Sequence, residues 1–424
     1  MKFLVKPSML SGSLQIPGSK SHTIRALVFG LLAGGTSEII APLESSDTLS
    51  CIETIRHFGA EVSTDNNRWT VEGTDGNPSV PDNIIDVGNS GTTLYIAMGI
   101  ASLVQGTTVL TGDGQIRNRP AEGLLGPINA LGGTAFSTRN NGRPPLVITG
   151  SLKGGAASIE AVTSQYLTSL LIAAPLVPGD TALTVPLLHE VPYVTMTLRW
   201  LDMLGIKYRN SNYREFLIPG NQKYRPFSHA IPADFSSATF FLVAAAISGS
   251  TLTLHGLDME DVQGDREVVN ILREMGADIT LREREITIRG CALRGGTFDL
   301  NAIPDALPAL SVAGCFAEGE TRLINVPQAR LKETDRISVM CKELRKMGAK
   351  IEELPDGLIL QKSRLRGTAV EGHGDHRVVM ALAVAGTASE GDTIISTAEA
   401  VSVTFPSFLD LLQSLGGNIS ISEE

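Results

Sequence analysis

Long apolar runs alternate along this chain with shorter stretches of mixed polarity. "IRALVFGLLAGG", "TTLYIAMGIASLV" and "SSATFFLVAAAIS" are apolar on nearly every side, which predicts helices buried all round. "VVNILREMGA" keeps one polar face and predicts a helix nearer the surface. "ITLREREITIRG" predicts two short strands joined by a turn. These elements recur in a fixed order. A Gly-x-Thr leading into a short apolar run begins at Gly34, Gly106, Gly179, Gly249, Gly319 and Gly391, with spacings of 72, 73, 70, 70 and 72 residues. A second mark, as in "LREMGADIT" and "LRKMGAKIE", places Gly59, Gly132, Gly205, Gly276, Gly348 and Gly416 between 25 and 29 residues after the first. Each repeat therefore reads as a polar turn, a buried helix, a strand, an amphipathic helix and two short strands. Glycine is expected to cap the C-terminus of both helices.

Six βαβαββ-like repeats match neither an eight-fold barrel nor a dinucleotide fold, and they are too long for a solenoid of helix pairs. The α/β arrangement that buries the apolar helices is a ring of sheets around them, three repeats to a domain. "NQKYRPFSHAIPAD" separates three repeats from three, and Pro226 and Pro232 suit a hinge there. The expected domains are residues 14–226, and residues 1–13 together with 227–424.

Composition narrows the partners. The 424 residues carry a formal net charge of −10, which argues against nucleic acid as the main partner. Basic clusters inside an acidic chain point instead to a small anionic ligand. Cys51, Cys291, Cys315 and Cys341 fit no metal-binding spacing, and three of them fall in apolar or helical contexts that suit free thiols in a reducing cytoplasm. "MKFLVKPSML" is too short and weakly apolar for a signal peptide, and Gly, Ser, Thr and Pro interrupt every apolar run before membrane-spanning length.

The candidate chemistry lies in the polar turns before the buried helices. "PGSKSHTIRAL" sets Lys20, Ser21, His22 and Arg25 at a helix start, where free N–H groups and the dipole favour an anion. A capped, solvated helix start is the plain alternative. The corresponding turns are "DVGNSGTTLY", "EAVTSQYLT", "IPADFSSAT", "IPDALPALS" and "EGHGDHRVV", all rich in small polar residues. If the repeats pack alike, all six helix starts face the gap between the domains. "GDGQIRNRP" adds Arg117 and Arg119. "RLKETDR" is expected to open an amphipathic helix, with Lys332 and Arg336 on one face and Glu333 in reach of Arg336; taken alone, the motif is better explained as a solvated, self-paired helix surface.

Taken in order, "PGSKS…R", "NSGTT", "RNRP", "SQYLTSLL", "IPDA", "RLKETDR", "GDHR" and "TFP" resemble the 5-enolpyruvylshikimate-3-phosphate synthase family along the whole chain. The resemblance implies a two-domain inside-out α/β barrel with its active site in the interdomain cleft. It implies transfer of carboxyvinyl from phosphoenolpyruvate to the 5-hydroxyl of 3-phosphoshikimate, with neither metal nor organic cofactor. The runner-up is a related enolpyruvyl transferase with a different hydroxyl acceptor. UDP-N-acetylglucosamine enolpyruvyl transferases commonly carry a cysteine in the loop matching "TGDGQIRNRP", and none is present there. A cytoplasmic monomer, binding no membrane and inhibited by glyphosate, is expected.

By the same resemblance, Lys20, Ser21, Arg25, Thr163, Ser164, Gln165, Tyr193, Asp305, Gln328 and Lys332 bind 3-phosphoshikimate. Lys20, Gly91, Arg119, Gln165, Arg336 and Arg377 bind phosphoenolpyruvate. Asp305 is the implied base, and Glu333 the acid, assisted by Lys20. Planar guanidinium forks suit the carboxylate and phosphate of phosphoenolpyruvate. Three positions depart from the family: Tyr95 replaces an arginine, Glu190 a serine near the acceptor phosphate, and Val403 a lysine. Either Glu190 turns away from the phosphate, toward a base such as Arg214, or the acceptor carries no phosphate there; the first is expected.

Overall fold

The second repeat shows the building plan in a computed structural model that describes residues 1–65 and 67–422. Strand Ile85–Asp86 enters helix Gly91–Ala101, whose apolar residues are buried on every side. Strand Thr107–Thr111 returns parallel to the first strand, a crossover that needs the intervening helix. Helix Glu122–Ala130 follows, and strands Thr134–Ser137 and Leu146–Thr149 close the repeat, with the later strand lying inside the sheet and the earlier at its edge. Among the described residues, all six sheets have four strands in this order.

The chain ends and the crossing between halves complete three of these sheets. Ser228–Ala230 supplies the parallel strand beside Thr36–Ile40 in the first repeat. Ser11–Gln15 does the same beside Thr251–His255 in the fourth. Lys2–Lys6 is the final strand of the sixth, antiparallel to Thr393–Ser396 and Asn418–Ser422. The chain accordingly divides into one compact domain of Gly18–Ile231 and another of Met1–Pro17 with Pro232–Glu424. These divisions lie a few residues beyond the expected 14 and 226, because Ser11–Gln15 and Ser228–Ala230 are paired strands rather than linker.

In the second domain, helices Phe235–Ser248, Leu307–Phe316 and His376–Thr387 touch one another pairwise, and each leans on its own sheet. In the first domain, Lys20–Leu32 packs on Gly91–Ala101, which packs on Ser164–Ala173. Helices lie inside and sheets outside, the inside-out α/β arrangement. Phe241, Phe405 and Phe408 meet edge-on or tilted at centroid distances of 5.8 to 6.0 Å in the second core. Each such ring contributes roughly 1.5–3 kcal/mol by leaving water.

Glycine has two separate roles at the repeat marks. The second-mark glycines all follow a helix C-cap with positive φ, from 76° at Gly205 to 104° at Gly276. At Gly276 the N–H donates to the Arg273 carbonyl and that of Ala277 to the Leu272 carbonyl, and the other five marks repeat this double closure. The first-mark glycines behave differently. Gly249 alone is the helix C-cap, at φ 68°, whereas Ala33, Ser102, Ala174, Ala317 and Ala388 cap the other buried helices. In those repeats the glycine turns the chain into the following strand, so the expected cap is corrected there. Cys51, Cys315 and Cys341 are buried and Cys291 exposed, all as free thiols. Burial pushes the Cys51 and Cys315 thiols up to about 12. Among the described residues, no helix is long and apolar enough to cross a membrane.

Candidate active site

In the second domain, Asp335 decides where the "RLKETDR" segment becomes helical. Its carboxylate accepts from the Ser338 N–H at 3.0 Å, which starts the helix at Arg336 and ends it at Lys346. Lys332 and Glu333 precede that helix, so the expected shared helical face of Lys332 and Arg336 does not exist. The motif is no solvated surface either, since Arg336 is 1% exposed. Arg336 Nη1 donates to Asp305 Oδ1 at 2.7 Å, Nε to Asp375 Oδ2 at 2.8 Å and Nη2 to Asp375 Oδ1 at 3.2 Å. Nη2 also donates to Glu333, the pair expected from the sequence. Burial works to lower the Arg336 pKa, but the carboxylates of Asp375, Glu333 and Asp305 outweigh it and drive it upward. The second oxygen of Asp305 forms an ion pair with Arg377 Nη2 at 3.0 Å, and Lys332 Nζ stands 4.0 Å from the first. Three cations therefore meet three carboxylates around Asp305 and Arg336.

Asp375 escaped the sequence reading as a site residue. It is fully buried, and its Oδ1 also accepts from the N–H groups of Arg377 and Val378, capping helix His376–Thr387. An aspartate just before a buried helix was its only local signal. Gln328, at 2% exposure, donates from Nε2 to the Asn301 carbonyl at 2.9 Å, while its Oε1 is buried with no hydrogen-bond partner. A buried acceptor left unpaired is costly and fits a hydroxyl donor from a ligand.

In the first domain, Lys20 begins helix Lys20–Leu32 and its ammonium lies 3.0 Å from Asp47 Oδ2. Arg25 is buried one turn on. It donates from Nε to Thr197 Oγ1 at 3.0 Å, from Nη1 to the Ser21 carbonyl at 3.0 Å and from Nη2 to the Tyr193 carbonyl at 2.9 Å. Those partners are neutral, and desolvation brings the guanidinium down to about 10, opposed in part by Tyr193. A buried cation held by dipoles alone is a ready seat for an anion.

Gln165 Nε2 donates to Thr92 Oγ1 at 2.8 Å, tying the third helix start to the second. There a β-carbon on Gly91 would lie 3.3 Å from Arg119 Nη1, so glycine lets this guanidinium approach the backbone closely. Tyr95 explains its own departure from arginine. Its hydroxyl donates to the Pro120 carbonyl at 2.8 Å, Tyr166 donates to the same carbonyl at 2.5 Å, and the two rings meet edge-on at 5.0 Å. Burial, then the neighbouring Tyr95, raises the Tyr166 pKa and keeps that donor protonated. Two buried tyrosines thus anchor the residue that follows Arg119. Nothing in the structure explains Val403 in place of lysine.

Glu190 corrects an expectation. Its carboxylate does not turn toward Arg214, which donates instead to the Pro186 carbonyl at 2.6 Å. Oε2 of Glu190 accepts from Ser164 Oγ at 2.7 Å, and from the Ser164 N–H and Thr163 Oγ1 at 3.2 Å each. The reason is local: Glu190 has a left-handed backbone with φ 59°, and three donors converge beside it at the start of helix Ser164–Ala173.

One group among the described residues has metal-ligand spacing, Glu343, Glu371 and His373, with ligand atoms within 4.8 Å of one another. Lys346 Nζ donates to both Glu343 oxygens, at 2.9 and 2.7 Å, so that carboxylate already has its counter-charge.

The fold and these two sets of side chains define a two-domain α/β protein whose charged groups suit small, multiply charged anions. A family model described as EPSP synthase (3-phosphoshikimate 1-carboxyvinyltransferase) matches residues 4–412, and the chain belongs to that family. It is 58% identical over 423 residues to a 3-phosphoshikimate 1-carboxyvinyltransferase of Acetivibrio thermocellus, covering 100% of both chains. It is 42% identical over 425 residues to the protein of that name from Methanocaldococcus jannaschii, covering 98% of each. The EPSP synthase structure from Acinetobacter baumannii aligns over 100% of both chains with a TM-score of 0.84 at 29% identity.

Proposed function

We propose that this chain transfers the carboxyvinyl group of phosphoenolpyruvate to the 5-hydroxyl of 3-phosphoshikimate and releases phosphate. The observation that carries the reading is the cluster around Asp305, in which Arg336, Arg377 and Lys332 all stand within 4.0 Å of one carboxylate. Thr163, Ser164 and Lys332 take the acceptor phosphate. Lys20, Ser21, Arg25, Gln165, Tyr193 and the unpaired Gln328 oxygen take the rest of the acceptor. Arg119, Arg336, Arg377, Lys20 and the close backbone at Gly91 take phosphoenolpyruvate.

The chemistry is an addition followed by an elimination. Glu333 protonates the methylene carbon of phosphoenolpyruvate, and Lys20 supports the charge change. Asp305 removes the proton of the 5-hydroxyl as its oxygen bonds to the neighbouring carbon. In the elimination the ionised Glu333 takes back one methyl proton while phosphate leaves with the proton that Asp305 gained, which regenerates the double bond and both starting carboxyls. In the unliganded chain Arg336 holds both Asp305 and Glu333; the anionic groups of phosphoenolpyruvate compete for that guanidinium and free the two carboxyls for these steps.

The test is phosphate release from phosphoenolpyruvate with a panel of hydroxyl acceptors, the product being identified by mass. Release with 3-phosphoshikimate is the expected result. Release only with unphosphorylated shikimate or a nucleotide sugar would overturn the reading.

A further inference from the structure

Thr163 and Ser164 already hold an anion, and it belongs to the protein. The two hydroxyls and the Ser164 N–H all point at one oxygen, Oε2 of Glu190, where the start of helix Ser164–Ala173 favours negative charge. Glu190 is 2% exposed, so its carboxylate fills this place rather than visiting it from solvent. Its left-handed backbone is rare for a residue with a β-carbon and marks a position that the surrounding contacts have to maintain.

We propose that Glu190 is a resident occupant of the acceptor-phosphate seat, and that the acceptor's phosphate must evict it to bind. This rests on the reading that Thr163 and Ser164 receive that phosphate. Two anions cannot share the same three donors. An oxygen of the phosphate can replace Oε2 with the same hydrogen bonds, and the displaced carboxylate then has to leave the buried site. Eviction reaches further than one side chain. Glu190 is the N-cap of helix Val191–Met203, whose Tyr193 carbonyl and Thr197 hydroxyl accept from the buried Arg25 guanidinium. Thr197 also meets Thr168 of the helix that Ser164 begins, at 3.0 Å. Glu190 therefore sets both the affinity for a phosphorylated acceptor and the discrimination against other anions that seek this seat.

Titration calorimetry on the full chain tests this with 3-phosphoshikimate and, separately, with unphosphorylated shikimate. Glu190→Gln removes the charge while keeping size, and Glu190→Ser removes both. Both variants are expected to bind 3-phosphoshikimate roughly tenfold tighter or more than the wild type, with shikimate affinity within about twofold. Circular dichroism melting establishes that each variant is folded, and the Gln variant carries the test if the Ser variant is not. Unchanged or weaker binding of 3-phosphoshikimate by the Gln variant, in a wild type that turns this acceptor over, overturns the role of Glu190 and leaves the reaction standing. A wild type that neither binds nor turns over 3-phosphoshikimate overturns the functional reading, and this inference with it.

Discussion

Arg336 gathers the chemistry of its domain into one guanidinium, whose donors are shared among Asp375, Glu333 and Asp305. The partners play different parts, and substitutions should separate them. Asp305→Ala and Glu333→Gln are each expected to cut turnover by roughly 10²–10⁴-fold, the range for an acid or base, read as phosphate release. Calorimetry should show 3-phosphoshikimate affinity changing far less for Glu333→Gln. Near-wild-type turnover in both variants would remove them from the mechanism. Asp375 acts on stability instead, because it pairs with Arg336 and caps a helix. Breaking a fully buried pair costs about 3–5 kcal/mol, and the remaining contacts of Asp305 and Glu333 put Asp375→Ala at the lower end of that range, measurable by urea unfolding. Much of this site was legible as residue types in short motifs. Their contacts were not: Asp375 reaches Arg336 across 39 positions, and the direction of Glu190 follows from a backbone angle that no local pattern announces.

At the scale of elements, the six second-mark glycines were readable because each closes a helix by purely local geometry. Gly205 offers a clean measure of that closure, since a β-carbon there would meet nothing within 4 Å and only the φ of 76° opposes it. Gly205→Ala should therefore cost about 1–2 kcal/mol in unfolding free energy, and no loss would mean that the turn adapts. The strand exchanges were hidden for the opposite reason. Leu252 pairs with Gly12 and His229 with Ile39, and no window along the chain contains both partners. Glu343 joins helix Arg336–Lys346 to strand Ala369–Glu371 in the same non-local way, accepting from Lys346, from the Glu371 N–H at 3.0 Å and meeting His373 Nε2 at 3.0 Å. Burial would raise its pKa, but these bonds outweigh burial and hold it below the usual carboxylate range. A depressed folded value gives stability that is present above the unfolded pKa, about 4.3, and is lost as pH falls through the lower folded value. The stability gap between wild type and Glu343→Gln should thus be constant near neutrality and shrink below about pH 4. Urea midpoints across a pH series measure it, and a gap that widens on acidification would contradict the assignment.

For the whole molecule, the decisive fact is how the charged groups divide between domains. Lys20, Arg25, Arg119, Thr163 and Ser164 belong to Gly18–Ile231, whereas Asp305, Gln328, Lys332, Glu333, Arg336 and Arg377 belong to the other domain. Without substrate, Lys20 pairs with Asp47, and Arg336 with its three carboxylates. The proposed reaction needs members of both sets on one substrate pair, with water kept from the activated enol. Thr163, Ser164 and Lys332 are the proposed phosphate ligands, and the first two belong to one domain and Lys332 to the other. Saturating 3-phosphoshikimate should therefore reduce the radius of gyration seen by small-angle scattering. Lys332→Ala should weaken that compaction while the Glu190→Gln variant reaches it at lower acceptor concentration, since its phosphate seat is no longer occupied by a charge. A radius of gyration that stays constant at saturation, with binding verified by calorimetry, would mean that the acceptor is held by one domain alone and that phosphoenolpyruvate, rather than the phosphate of the acceptor, brings the second set into play.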